Sequence, residues 1–191
     1  NLEVKKPTAS NFIALLEATH LIYRLLPFGY GKEILRARPK IYLADAAIAP
    51  GILLKGKGLL EDAVRLGQAV ETAFFKHVFT RYYQISVSFS YWRGGKKGQE
   101  VDIIADIGGR LVPFEVKYQG EKVDAGHLKG LGEFCRERKI QRGYVITKDA
   151  ADFGILSLPG GAQALKIPAP LACYWLGRSE LESDDPYNLE T

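Results

Sequence analysis

Three carboxylates and one ammonium crowd into a short stretch of this chain: Glu100, Asp102, Glu115 and Lys117, within "GQEVDIIADIGGRLVPFEVKYQG". The stretch reads as two alternating strands about Gly108 and Gly109, and a Gly-Gly pair between such runs is a hairpin signal. In that register Asp102 lies opposite Glu115 and Glu100 opposite Lys117. On the other face Val101, Ile103 and Ala105 meet Val116, Phe114 and Val112. The complete apolar face fixes the register, because a slip of one residue would invert every side chain. Directly opposed Cβ atoms lie about 5 Å apart, and like charges there repel. A shared proton, the neighbouring Lys117 or a hard divalent cation would each offset that repulsion. Mg²⁺ does it best, being held by one or two carboxylates together with water and phosphate oxygens. Such an ion acidifies bound water and stabilises charge on a phosphoryl oxygen. Lys117 beside it would orient or deprotonate the attacking water, or stabilise the developing charge. The chemistry is that of a phosphodiesterase. The alternative is a surface hairpin carrying only a Glu100–Lys117 pair.

Other elements must hold that hairpin. "TASNFIALLEATHLIYRLLPF" opens on cap-type residues at Thr8 and continues with helical spacing at Phe12, Leu15, Leu16 and Thr19, then turns strand-like. "KIYLADAA" returns as a second, antiparallel strand, so that a helix and a two-stranded ribbon precede the rest. "GILLKGKGLL" is a Gly- and Lys-rich connector. From Glu61 to Arg81 a long helix is expected, with Val64, Leu66, Ala69, Val70, Ala73, Phe74 and Val78 as its apolar stripe. Strands "QISVSFSYW", "EVDIIAD" and "LVPFEVK" follow, then a helix "DAGHLKGLGEFCRER", a strand "RGYVITK" and a last apolar strand near "LACYWL". The order α-β-β-β-α-β makes an α/β fold, a mixed sheet flanked by helices.

Composition narrows the function classes. The chain has 191 residues, enough for one substantial core, and a net charge of +4. No segment approaches the roughly 18 consecutive apolar residues of a membrane span. Cys135 and Cys173 have no CxxC partner, and His20, His77 and His127 are scattered, which argues against a disulfide scaffold or a zinc set and for a reducing cytoplasm. Basic residues cluster at Arg36, Arg38 and Lys40, at Lys55 and Lys57, at Arg93, Lys96 and Lys97, and from Arg136 to Arg142, while the tail from Ser179 is acidic. A clustered basic surface favours a polyanion partner. The chain holds no Met, even at position 1, as expected of a piece cut from a larger protein.

Asp102 with "EVK" after twelve intervening residues resembles the PD-(D/E)XK nuclease superfamily, whose core order is also α-β-β-β-α-β. That resemblance implies a restriction-endonuclease-like fold and DNA phosphodiester hydrolysis. Asp102, Glu115 and Glu71 of "GQAVETAFF" would be the Mg²⁺ ligands, and Lys117 would be catalytic with Asp102 and Glu115. Val101 stands where the family's motif has Pro. More widely, "TASNFIALLEATHLIYRLLPF", "KIYLADAAI", "GQAVETAFF", "YWRGGKKGQEVDIIA", "VPFEVKY" and "GLGEFC" are together similar to the C-terminal region of prokaryotic AAA-type ATPases. In those proteins an ATPase module and a winged helix precede a nuclease-like domain. The resemblance implies a winged-helix remnant over residues 1–54, a nuclease-like domain over 55–178 and an acidic tail over 179–191. Its partners would be DNA and the ATPase module of the same protein. No G-x-x-x-x-G-K-[ST] occurs, so no ATP site is expected within these residues.

Glu71 lies mid-helix among core neighbours Val70, Ala73 and Phe74, where a Glu is as readily solvated as a ligand. In "YWRGGKKGQ" the basic Arg93, Lys96 and Lys97 are candidates for DNA phosphates. Tyr91 and Trp92 read better as strand-end core than as base-stacking groups. A rival reading from another class is a non-cleaving DNA-binding or protein-docking module that regulates the ATPase.

Overall fold

The computed structural model describes residues 6–29, 38–54, 56–83, 85, 87–95 and 99–182. Within them the protein is a mixed α/β fold with five α-helices and one eight-stranded mixed sheet. The strands are β1 (Ile22–Pro27), β2 (Lys40–Leu43), β3 (Val87–Arg93), β4 (Glu100–Ile107), β5 (Arg110–Lys117), β6 (Arg142–Thr147), β7 (Gly154–Ser157) and β8 (Gln163–Pro168), in spatial order β2-β1-β3-β4-β5-β6-β8-β7. The helices are α1 (Lys6–Ala18), α2 (Ile48–Ile52), α3 (Ala63–Tyr82), α4 (Lys129–Arg138) and α5 (Ala169–Glu182).

The turn expected between β4 and β5 forms at Gly108 and Gly109, with φ of +59° and +88°. Positive φ at both central residues is what a type I′ hairpin requires, and Gly adopts it without a Cβ clash. The register is also as expected from Ile103 opposite Phe114 to Ile107 opposite Arg110. The apolar ladder fails one step further on. Val101 is buried in the cluster under α4, with Leu131 and Phe134, whereas Val116 packs against the cluster under α3. A bulge is responsible. Ser90 pairs with Ile104 and Trp92 with Val101, so Tyr91 alone opposes both Asp102 and Ile103. One extra residue in a strand reverses the faces of everything beyond it.

Three further expectations are revised. "LACYWL" lies in α5, with Ala169 and Ala172 buried and Leu171, Cys173 and Leu176 half-buried on one side, while Tyr174 and Trp175 are exposed. Pro170 in the first turn does not disrupt that helix, because its missing N–H would have had no intrahelical partner. The closing strands are instead β7 and β8, an antiparallel pair turning at Gly160 and Gly161. The connector holds α2 and a 3₁₀ turn at Gly56–Leu59. Val64, expected in the apolar stripe of α3, is exposed, and the buried face begins at Phe74, Phe75 and Val78.

The ribbon does not stand apart. β1 pairs with β2 antiparallel and with β3 parallel, at Leu26–Ser90 and Pro27–Tyr91, so the ribbon continues the sheet. The core has two halves, one between the sheet and α3 with α5, the other between the sheet and α4. Tyr91 and Trp92 are both buried in it, and neither ring faces outward to stack on a base. No described helix is long and apolar enough to cross a membrane. Cys135 and Cys173 are free thiols.

The approach of α4 to the sheet is closest at Gly130. A β-carbon there would fall well inside 3.0 Å of the Glu100 backbone nitrogen and oxygen. Backbone on one side and helix on the other leave nothing flexible to yield, so Gly130→Ala is expected to cost about 3 kcal/mol, the upper end for overpacking. Thermal unfolding would show it as a large drop in midpoint; an unchanged midpoint would mean that α4 sits further from β4.

Candidate functional site: a carboxylate pocket at an opened hairpin

The pairing of β4 with β5 stops at Ile103 and Phe114. Beyond that point β5 pairs only with β6, through Lys117 opposite Thr147, and its other edge opens. Asp102 and Glu115 occupy the opening. The Asp102 amide donates to Glu115 Oε2 at 3.3 Å, and the Val116 amide donates to Asp102 Oδ2 at 2.9 Å. Each carboxylate thus takes an amide of the facing strand in place of a ladder bond, which holds both side chains at the edge of a cavity of about 930 Å³.

The structure brings Glu71, Glu100, Asp102, Glu115 and Lys117 to that one cavity from α3, β4 and β5. Lys117 Nζ is 2.6 Å from Glu115 Oε1, so the expected Glu100–Lys117 pair is replaced by one within β5. Glu100 bonds Arg93 at 2.9 Å and Lys40 at 2.7 Å. Arg93, a candidate for DNA phosphates, is thereby engaged at the rim, although its side chain stays more than half exposed. Lys96 and Lys97 lie outside the described residues.

Two site residues escaped the sequence reading, and both come from the ribbon. Lys40 Nζ sits among three carboxylates, 2.6 Å from Asp102, 2.7 Å from Glu100 and 3.2 Å from Glu71. It was expected in a basic surface cluster with Arg36 and Arg38; it points inward instead. Tyr42, two residues along the same strand face, donates its hydroxyl to Glu71 Oε1 at 2.5 Å and stacks on Phe75 with ring centroids 4.5 Å apart. The only signal in the sequence was the alternation of Lys40 and Tyr42 along β2, which any half-polar strand shows.

The electrostatics follow from the count of charges. Four carboxylates face Lys40, Lys117 and, at the rim, Arg93, so charge balances only while one carboxyl holds a proton. Burial, with Asp102 beside it, pushes the Glu115 carboxyl up to about 8 despite Lys117. Burial and Asp102 also raise Glu71, against Lys40 and Tyr42. Burial alone would raise Glu100 as well, but its bonds from Lys40 and Arg93 prevail and lower it. For Lys117 burial works downward, yet Glu115 outweighs it and keeps the ammonium above the ordinary lysine range. Lys40 behaves likewise, with Asp102 and Glu71 overcoming its burial.

A divalent cation would fit in place of the Glu115 proton. The donors are all hard carboxylate oxygens, and Asp102 with Glu115 is the pair at the opened hairpin, although a metal there would have to displace Lys40 from Asp102 and Lys117 from Glu115. No three of the described His, Cys, Asp and Glu side chains are grouped as a ligand set. Two carboxylates suffice for Mg²⁺, whose remaining positions are taken by water and phosphate oxygens.

The protein is of the mixed α/β class, with a carboxylate pocket at the opened hairpin of its eight-stranded sheet. The chain belongs to the family described as a domain of unknown function, DUF4143, whose profile matches residues 66–169, more than half its length. A second family described in the same terms, DUF8612, matches residues 1–57. No curated protein and no solved structure gives a significant match.

Two outcomes follow. Between the ordinary glutamate value near 4.5 and about 8, folded Glu115 keeps a proton that the unfolded chain has lost. The stability it contributes is therefore complete below that window and is lost as pH rises through it. The unfolding midpoint should fall from pH 5 to pH 8, and Glu115→Gln should flatten the slope. Lys40→Met leaves three carboxylates without their shared ammonium and is expected to cost about 3 kcal/mol in urea unfolding. Mn²⁺ should then raise the midpoint more in that variant than in the wild type; an equal rise would show that ammonium and metal do not share the site.

Proposed function

We propose that this chain is a restriction-endonuclease-like domain that hydrolyses DNA phosphodiesters with Mg²⁺, from the C-terminal region of an AAA-type ATPase. The observation that carries the reading is the convergence of Glu71, Asp102, Glu115 and Lys117, from one helix and two strands, on one cavity. The succession α3-β3-β4-β5-α4-β6 supports it. Residues 1–54 are then the winged-helix remnant. The ATPase module and DNA are its partners.

Asp102 and Glu115 would hold the ion, which supplies charge stabilisation at a phosphoryl oxygen and a more acidic bound water. Glu71 acts from behind, its oxygen engaged by Tyr42 and Lys40. Lys117, with its proton held by Glu115, is a donor: it orients water or steadies an oxyanion, and does not serve as the base. Arg93 at the rim, with Lys96 and Lys97, would meet the DNA backbone.

One observation favours a second reading, a non-cleaving DNA-binding or docking module that regulates the ATPase. Lys40 already neutralises the carboxylates that a metal would need. The deciding assay incubates supercoiled, linear and branched DNA with Mg²⁺ or Mn²⁺. Cutting by the wild type, reduced at least about a hundred-fold by Asp102→Ala and by Lys117→Ala, is expected. Binding of DNA without any metal-dependent cutting would favour the second reading.

A further inference from the structure

A second polar cavity, of about 170 Å³, lies between α3, α5 and the start of β5. Arg81, Tyr82, Arg110, Tyr144, Trp175 and Ser179 line it. Arg81 is only 7% exposed. Its guanidinium lies 5.2 Å from the Tyr82 ring and forms no hydrogen bond or ion pair with any described residue. Among the described residues no sealed side-chain nitrogen or oxygen lacks a partner. The Arg81 donors therefore open on the cavity.

A guanidinium carries five N–H donors and keeps its charge at every working pH. Burying it without an anion is costly, since one ion of a buried pair left alone is strongly destabilising. Its place in the last turn of α3 gives partial compensation, because helix carbonyl ends favour cations. The ring beneath it adds a cation–π contact. Neither supplies acceptors for the fork of donors. A second guanidinium, Arg110, shares the cavity, and among the described residues the charged groups that bear on Tyr82 there are these two arginines, with no carboxylate among them.

We infer that this cavity is an oxyanion site, in which Arg81 and Arg110 grip a carboxylate or phosphate group. Paired arginines match the planar or tetrahedral oxygens of such groups through charge-assisted bonds. Tyr82, Tyr144 and Ser179, each carrying a hydroxyl donor, also line the cavity. The volume suits a single compact group carried on a peptide, a nucleotide or free phosphate. The site shares no residue with the carboxylate pocket and does not depend on its function.

The test is calorimetric titration of the full chain with inorganic phosphate and with acetate, at constant ionic strength against chloride. Saturable binding of either anion is expected, weakened at least about ten-fold by Arg110→Gln. Arg110 is exposed, so that variant should fold; Arg81→Gln should abolish binding. A third variant, with Glu180, Glu182 and Glu190 changed to Gln and Asp184 and Asp185 to Asn, removes all five carboxylate side chains of the acidic tail. Tighter binding by that variant would identify the tail carboxylates as a resident anion, and unchanged binding an external source. Absence of binding in both the wild type and the tail variant, or binding indifferent to Arg110→Gln, would overturn the proposal.

Discussion

The opening of one hairpin governs this molecule. Where β4 and β5 part, two backbone amides lose their ladder partners, and the side chains of Asp102 and Glu115 accept them. That solution satisfies the backbone but places two carboxylates side by side, with Glu71 and Glu100 close behind. Placing so many like charges together is unfavourable without cations. The position of the ribbon strand β2 at the edge of the sheet and the inward reach of Lys40 answer that need.

A second buried ionic group gives the contrast. Lys166 pairs with Asp152 one to one and donates also to the Val123 carbonyl, while Asp152 accepts the Val123 amide. Charge is balanced there, and its polar bonds stay within the fold; it pins the loop at Val123 to β8. The hairpin cluster sets four carboxylates against three cations and balances only while one carboxyl keeps its proton. Such a set lining a large open cavity is the kind that chemistry uses, whereas a sealed and matched pair is the kind that holds a fold.

Much of the frame was legible in the sequence. Strict alternation on both sides of Gly108 and Gly109 identified the hairpin and five of its paired positions. The long apolar period identified α3; Asp102, Glu115 and Lys117 were singled out from the hairpin register, and Glu71 only by the family resemblance. The bulge opposite Tyr91 was not legible, because an extra residue in a strand leaves alternation intact on either side and shifts only the phase. "LACYWL" misled because a short apolar run fits a strand or a buried helix face equally well. Lys40 and Tyr42 were unreadable for another reason: their role exists only across the sheet, with 62 residues separating Lys40 from Asp102. Local pattern carries no record of such a contact.

Two family profiles divide the chain at about residue 60, yet the pocket ignores that division. The Lys40 ammonium and the Tyr42 phenol belong to the first segment, and the pocket's acids and Lys117 to the second. The two segments are therefore not interchangeable parts. A recombinant that joined the first fifty residues of one relative to the remainder of another would inherit a site assembled from two lineages. Residues that never meet along the chain would have to match each other as a lock matches a key cut elsewhere.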